Sequence, residues 1–366
     1  MRRARRAAGV AGGVALLSML ARCQLLWGPD VNPSDASTGR DAAADATADA
    51  PGSTCGDIGV PPRPLPREAG SADLDIAFAL SSIDFGKGST VHPLNLDQTC
   101  TCPGPGSCRA PDAAPCDGEG GTDNAARDLL NALSSGITSE QELNAGLAAG
   151  VSGAILRVQA WNGTAEDDTV VVSVYPALGV EGDAGLKLDG TDPWRVDRAW
   201  VADPPTPPFA PLRSAEQAWV TKGKLVAAFQ STTLIVGGAV YEGGVQPPLR
   251  LDLNGAFIVA DLTPTSMTGT LAGRWPVLTL LKSIEAFPDP FASGHFLCEM
   301  GAVYDVVRRT VCTDRDIGSV SNLPASDCDA LSLAIGFKAH AAKITSVGDG
   351  IDGGHPCGAA WKPTCN

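Results

Sequence analysis

Residues 74 to 80 read LDIAFAL, and Leu74, Ile76, Phe78 and Leu80 alternate there with Asp75, Ala77 and Ala79. A period of two places every second side chain on one face of an extended strand. The run therefore predicts a strand with an apolar face in a core and Asp73, Asp75, Ala77 and Ala79 on the other. Similar runs follow at AILRVQAW (154–161), DTVVVSVY (168–175), KLVAAF (224–229), TTLIVGGAVY (232–241), LRLDLNGAFIVADL (249–262) and LSLAIGFKA (331–339), many ending in Gly, Asn or Asp. Such segments are strands bounded by turns. WNGTAEDD, between the second and third, predicts a hairpin with Asn162 and Gly163 at positive φ.

Helical signals are fewer. TDNAARDLLNALSSG (122–136) carries Ala126, Leu129, Leu130 and Leu133 on one side, with Thr122 or Asp123 as N-cap. SEQELNAGLAA opens with Ser139 and Glu142 at the spacing of a capping box. PVLTLLKSIEAF starts with Pro276 at a first-turn position and predicts burial of Leu278, Leu281 and Ile284 or their neighbours. Many strands with a few inserted helices imply a mainly β chain: a β-sandwich, a jelly-roll-like arrangement being one that fits, with helices over an end.

The chain has eleven cysteines. Four of them, Cys100, Cys102, Cys108 and Cys116, fall in a Pro/Gly-rich stretch with little apolar content, and Cys298, Cys312, Cys328, Cys357 and Cys365 lie near the C-terminal end. Paired C-x-x-C knuckles are missing, so the pattern favours disulfide staples over a zinc site, with Cys100 and Cys102 joined to different partners.

Export is written at the start. Arg2, Arg3, Arg5 and Arg6 precede an apolar run from Ala7 to Leu20, the build of a secretory signal and too short to span a bilayer. Leu20, Ala21, Arg22 and Cys23 then resemble the lipobox of bacterial lipoproteins, with Arg22 standing where that family has a small residue. The resemblance implies cleavage before Cys23 and a diacylglycerol on its thiol, hence contact with a membrane through the lipid anchor. Gln24, in place of the Asp that retains such proteins at the inner membrane, favours the outer membrane. Residues 28–54 hold Asp, Ala, Ser, Thr, Pro and Gly and cannot bury enough apolar surface to offset ordering entropy. They read as a disordered tether reaching roughly 30 Å. The organisation expected is thus a signal peptide (1–22), an anchor Cys with an acidic tether (23–54), and a single β-rich globular domain (55–366), in which the Pro-rich residues 202–214 form a surface loop.

Formal net charge is −14, and removal of the signal takes five arginines and no acids with it. That sign opposes counterion release from phosphates and excludes nucleic acid as a partner. With four histidines, no G-x-S-x-G elbow and no H-E-x-x-H helix, no catalytic set stands out. Two acidic clusters remain. Asp117, Glu119 and Asp123, in a Gly-rich loop, offer oxygens suited to calcium, with Asp123 as a helix cap the plainer role. Asp167 and Asp168 lie near Trp161, and Trp194 and Trp200 could together form an aromatic platform for a sugar ring. The function expected is a non-catalytic binding or structural role at the cell envelope, with a glycan or another envelope component as ligand and no required cofactor. The alternative is an exported carbohydrate-active hydrolase with a carboxylate pair.

The anchor is checked by metabolic labelling with a palmitate analogue. The wild-type chain should take the label and Cys23→Ser should lose it; a labelled Cys23→Ser protein removes the anchor.

Overall fold

Among the described residues nine strands join into one hydrogen-bonded sheet. The structure, a computed structural model, describes residues 57–66, 73–86, 91–102, 106–134, 137, 139–151, 153–182, 185–236, 239–241, 244–246, 249–292, 294–299, 301–350 and 363–365. Cys23, the signal and the tether lie outside the described residues.

Strands β1 (Leu74–Asp84), β2 (Gly153–Trp161), β3 (Val171–Val180) and β4 (Pro193–Asp197) pair in sequence order, each antiparallel to the next. β5 (Gln217–Thr221) and β6 (Lys224–Val236) form a hairpin. A small separate hairpin follows from β7 (Ala239–Tyr241) and β8 (Gly244–Gln246). β9 (Leu249–Leu262) pairs with β6 and with β10 (Ser266–Pro276), and β10 pairs with β11 (Ala330–Gly348). β11 also pairs with β1 antiparallel and with β4 parallel, so β1, β2, β3, β4 and β11 close into a ring of five strands.

The other limb, β10, β9, β6 and β5, extends from that ring and folds back over it. Phe78 sits opposite Leu156, and Leu156 opposite Val174, on one side of the layer. Across from them lie Leu225, Ala227, Ile258 and Leu271, with Ile335 and Phe337 in the same core. Both layers of the sandwich thus come from one sheet. At 20–33 cal/mol per Å² of apolar surface, each fully buried Leu or Ile in this layer contributes about 2 kcal/mol.

The ring encloses a second core. Ala79 faces Ile155, Ile155 faces Tyr175, Ala177 faces Val196, and Trp194 faces Ile344. The alternation of residues 74–80 suggested an outer face at Ala77 and Ala79, but those alanines point into the ring. Small side chains are needed there because Tyr175 and Trp194 occupy the centre.

Residues 202–214 close the ring's mouth through Phe209, which is buried. Arg157, on β2, holds this loop in place. Its Nε and Nη2 donate to the two carboxylate oxygens of Asp75 at 2.8 and 2.6 Å, and its Nη1 donates to the carbonyls of Pro208 and Phe209. The Tyr175 hydroxyl donates to the same Phe209 carbonyl at 3.0 Å. The Pro-rich stretch is a surface loop, mostly exposed and clamped to the ring core at Phe209.

Among the described residues four helices are inserted: α1 (Ala126–Leu133), α2 (Glu140–Ala148), α3 (Val277–Glu285) and α4 (Ala302–Thr313). The Ser139–Glu142 capping box is present in full. α1 starts at Ala126 without a side-chain cap, because Asp123 is drawn inward to other partners. Pro276 stands at the N-cap of α3, and the buried positions are Leu280, Leu281 and Ile284, with Leu278 exposed. At the β2–β3 turn Gly163 has φ of 77°, while Asn162 instead lends its side-chain oxygen to the Thr164 N–H at 2.8 Å.

Disulfides join Cys102 to Cys116, Cys108 to Cys328 and Cys312 to Cys365. Cys100 and Cys298 are disulfide-bonded as well, so Cys100 and Cys102 have different partners. The Cys108–Cys328 bridge closes 220 residues of chain, where a cross-link removes most entropy from the unfolded ensemble.

The Arg157 clamp has a measurable consequence. Arg157→Met deprives two carbonyls and Asp75 of their donor, and should lower the unfolding free energy by about 2–3 kcal/mol. Urea unfolding with disulfides intact reads this directly; a loss under about 1 kcal/mol would mean that water replaces the guanidinium.

Candidate functional site

Among the described residues polar chemistry gathers in a buried carboxylate cluster and in an open cleft on the outside of the sheet.

The cluster is built from two chain segments. Asp117 and Asp123 come from the Gly-rich loop after Cys116, and Asp97 comes from the turn after residues 91–96. One carboxylate oxygen of each lies within 4.8 Å of the others. Backbone amides hold them: the Leu96 N–H donates to Asp123 at 2.5 Å, the Thr101 N–H to Asp117 at 2.5 Å, and the Thr99 N–H to Asp97 at 2.9 Å. Gly121 lets the two segments meet. It has φ of 79°, and a Cβ there would run into the Thr99 carbonyl and the Asn95 side chain.

Asp97 and Asp123 are almost completely buried, as is Asp316 behind them, which accepts hydrogen bonds from the Ser332 N–H and hydroxyl. The facing cation is Arg274, whose guanidinium donates to the Leu96 and Gly318 carbonyls and to Asn322. Burial pulls Arg274 below its ordinary value while Asp97, Asp123 and Asp316 oppose that. One guanidinium does not balance the cluster. Burial, with the charges of Asp97, Asp316 and Asp117, pushes Asp123 up to about 9. Burial also raises Asp316 to about 7 and moves Asp117 upward. Glu119 is exposed and stands outside the cluster; Asp97 takes the third place.

The second acidic group dissolves into structure. Asp167 is buried, accepts from the Asn162 and Thr169 amides, and exchanges backbone hydrogen bonds with Val220 of β5. It pins the β2–β3 loop to the edge strand. Asp168 offers its carbonyl to Arg63. Trp161 is buried with its Nε1 donating to the Thr164 carbonyl. Trp194 fills the ring core at 1 % exposure, so it forms no platform with Trp200.

Trp200 does reach a cleft, one with a volume of about 350 Å³. It lies in the short 3-10 turn Arg198–Trp200, capped by Asp197, which accepts from the Ala199 N–H at 2.9 Å. The Arg213 guanidinium sits 5.8 Å from the centre of the Trp200 ring. The opposite wall is the outer face of β6 and β9, where Ser231 pairs with Asn254 and Thr233 with Asp252. Thr233 donates to Asp252 at 2.6 Å, and Arg250 donates through Nε to both Asp252 oxygens at 3.1 and 2.9 Å. Sequence reasoning did not single out Arg213, Arg250 or Asn254. Arg250, Asp252 and Asn254 do alternate with Leu249, Leu251 and Leu253, the pattern of a polar outer face.

Comparison with known proteins finds no matching family model, no matching curated protein and no matching solved structure.

The buried cluster fixes a pH dependence. Asp123 binds its proton up to about pH 9 in the folded chain but releases it near the ordinary 3.8 when unfolded. Between those values the folded state holds the extra proton, so its stability falls as pH rises, by at most about 1.4 kcal/mol per pH unit. Asp316 adds the same sign up to about 7. Melts in chelator should show the midpoint dropping from pH 5 to 8, and Asp123→Asn should flatten that slope; an unchanged slope would place its origin elsewhere. Whether calcium takes the place of that proton is read in the same melts. A wild-type midpoint unmoved by several millimolar calcium at pH 8 removes the cluster as a cation site.

Proposed function

We propose that this chain is an exported, lipid-anchored protein of the cell envelope, outer membrane favoured, whose β-rich domain binds a carbohydrate without cleaving it. The observation that carries the binding reading is the cleft around Trp200. It sets a half-buried aromatic ring against side chains of Ser231, Asn254, Asp252 and two arginines. Sugars present apolar C–H faces and a rim of hydroxyls, and an aromatic plane beside polar groups on a rigid sheet matches both.

Hydrolysis is the less supported reading. Glycosidases use two carboxyl groups roughly 5–10 Å apart across the scissile bond. Asp252 is the one carboxylate lining the cleft among the described residues, and Arg250 and Thr233 already hold it. The Asp97–Asp117–Asp123 cluster is largely buried, out of a polymer's reach. No helix among the described residues is long and apolar enough to cross a membrane, and attachment through Cys23 needs none.

A panel of polysaccharides tests the reading. The mature protein should be retained on at least one of them without producing new reducing ends, and Trp200→Ala should weaken retention at least about fivefold. Released oligosaccharide would install the hydrolase instead, and retention unchanged in Trp200→Ala would move binding out of this cleft.

A further inference from the structure

The cleft carries a charge opposite to that of the chain around it. Net charge is −14 overall, yet Arg213 and Arg250 line the cleft against Asp252 alone. Nor are the two guanidinium groups spent on the protein. Arg250 uses its Nε on Asp252, and its terminal nitrogens have no hydrogen-bond partner among the described residues. Arg213 makes no hydrogen bond or ion pair with a described residue; its guanidinium lies 5.8 Å from the centre of the Trp200 ring, within cation–π range, and its N–H groups have no partner among the described residues. The side chains of Ser231 and Asn254 likewise have no hydrogen-bond partner among the described residues. A guanidinium fork with unused donors matches a planar oxyanion, which accepts two parallel N–H bonds.

We infer that the ligand class of this cleft is an acidic saccharide, a sugar chain bearing carboxylate groups of the uronic acid type. The inference rests on the carbohydrate-binding reading and adds the charge. Arg213 and Arg250 take the carboxylate, Ser231 and Asn254 take ring hydroxyls, and the ring packs beside Trp200. A neutral sugar would leave both forks facing water. A bare anion would leave the aromatic wall and the amide unused. Because the rest of the surface is acidic and repels a polyanion, affinity depends on these local contacts and weakens as salt screens them.

The test uses the mature protein with its disulfides intact and four soluble polymers: polygalacturonate, the same polymer with its carboxyl groups reduced to alcohols, dextran, and dextran sulfate. Affinity electrophoresis should show polygalacturonate binding at least about tenfold tighter than its reduced form. Arg213→Gln and Arg250→Gln should each weaken binding to polygalacturonate about fivefold or more while barely affecting the reduced polymer. Trp200→Ala should weaken both. Melting midpoints equal to wild type establish that the exposed substitutions leave the fold intact.

Equal binding of polygalacturonate and its reduced form, unaffected by either arginine variant, overturns the acidic class while leaving carbohydrate binding in place. Dextran sulfate binding as tightly as polygalacturonate in both wild type and Trp200→Ala shows simple ion exchange and overturns the inference. Failure to bind any of the four polymers overturns it as well, and the wider panel then decides the carbohydrate reading separately.

Discussion

Everything in this fold hangs from the double pairing of one strand. β11 runs for nineteen residues. Its first part lies between β10 and β1, and its last part lies beside β4, so the same ladder belongs to the sandwich and to the ring. The two faces of β11 divide the labour. Leu333, Ile335, Phe337 and Ala339 enter the main core, while Ala342 and Ile344 face the ring interior. Over Gly336–His340 β11 is hydrogen-bonded along both edges, and the edge strand β5 carries the Asp167–Val220 bridge on its outer side. Losing the register of β11 would therefore disturb both cores together.

Packing on both sides of one layer leaves the outer faces of β10, β11, β6 and β9 for chemistry. The acidic segments lie against β11, where Asn124 accepts from the Ala334 N–H and Asp316 holds Ser332. Buried carboxylates are an expensive way to join loops, since desolvation opposes what the hydrogen bonds contribute. Here Asp123 meets that cost by keeping a proton up to about pH 9, while one of its oxygens still accepts from the amides of Leu96 and Asp97. The disulfides that surround these segments, Cys102–Cys116 and Cys108–Cys328, hold the loops together independently of that electrostatic balance.

The mainly β class, the inserted helices and the disulfide staples were legible because each has a local signature. Leu74–Leu80 and Leu249–Leu262 show the strand period, and Ser139 with Glu142 shows the cap. What was not legible depends on partners far away in sequence. Trp194 and Trp200 look alike in the chain, yet Trp194 is drawn into the ring because β4 pairs with β11 at Ile344, while Trp200 follows in a turn beyond the pairing. Ala77 and Ala79 look like an outer face until the ring closes around them. β10 escaped because Gly269 and Gly273 dilute its period. Gly269 is nonetheless required, since a Cβ there would strike the backbone of β9 at Val259 and Ala260. Asp97 lies twenty residues and more from Asp117 and Asp123, and nothing in its neighbourhood marks it as their partner.

The cleft shows why part of a site can be visible in sequence while the site is not. Its floor is a strand pattern, Arg250, Asp252 and Asn254 between leucines, fixed by local periodicity. Its wall is supplied by a loop whose position is set by backbone pairing and by a buried arginine. Leu212 donates to the Trp200 carbonyl, Val201 bridges to Pro211, and Ala202 donates to Ala210. Arg157, through Pro208 and Phe209, fastens that loop to β2. Trp200 and Arg213 thus stand on a backbone that is already hydrogen-bonded before any ligand arrives. A wall held in this way loses little further conformational freedom on binding, and binding energy spent on ordering a loop is correspondingly small. The same clamp couples the cleft to the ring core. Any change that frees residues 202–214 must weaken the aromatic wall even if every residue touching the ligand is intact, and the buried Arg157, paired with the exposed Asp75, is the remote element on which the cleft's shape depends.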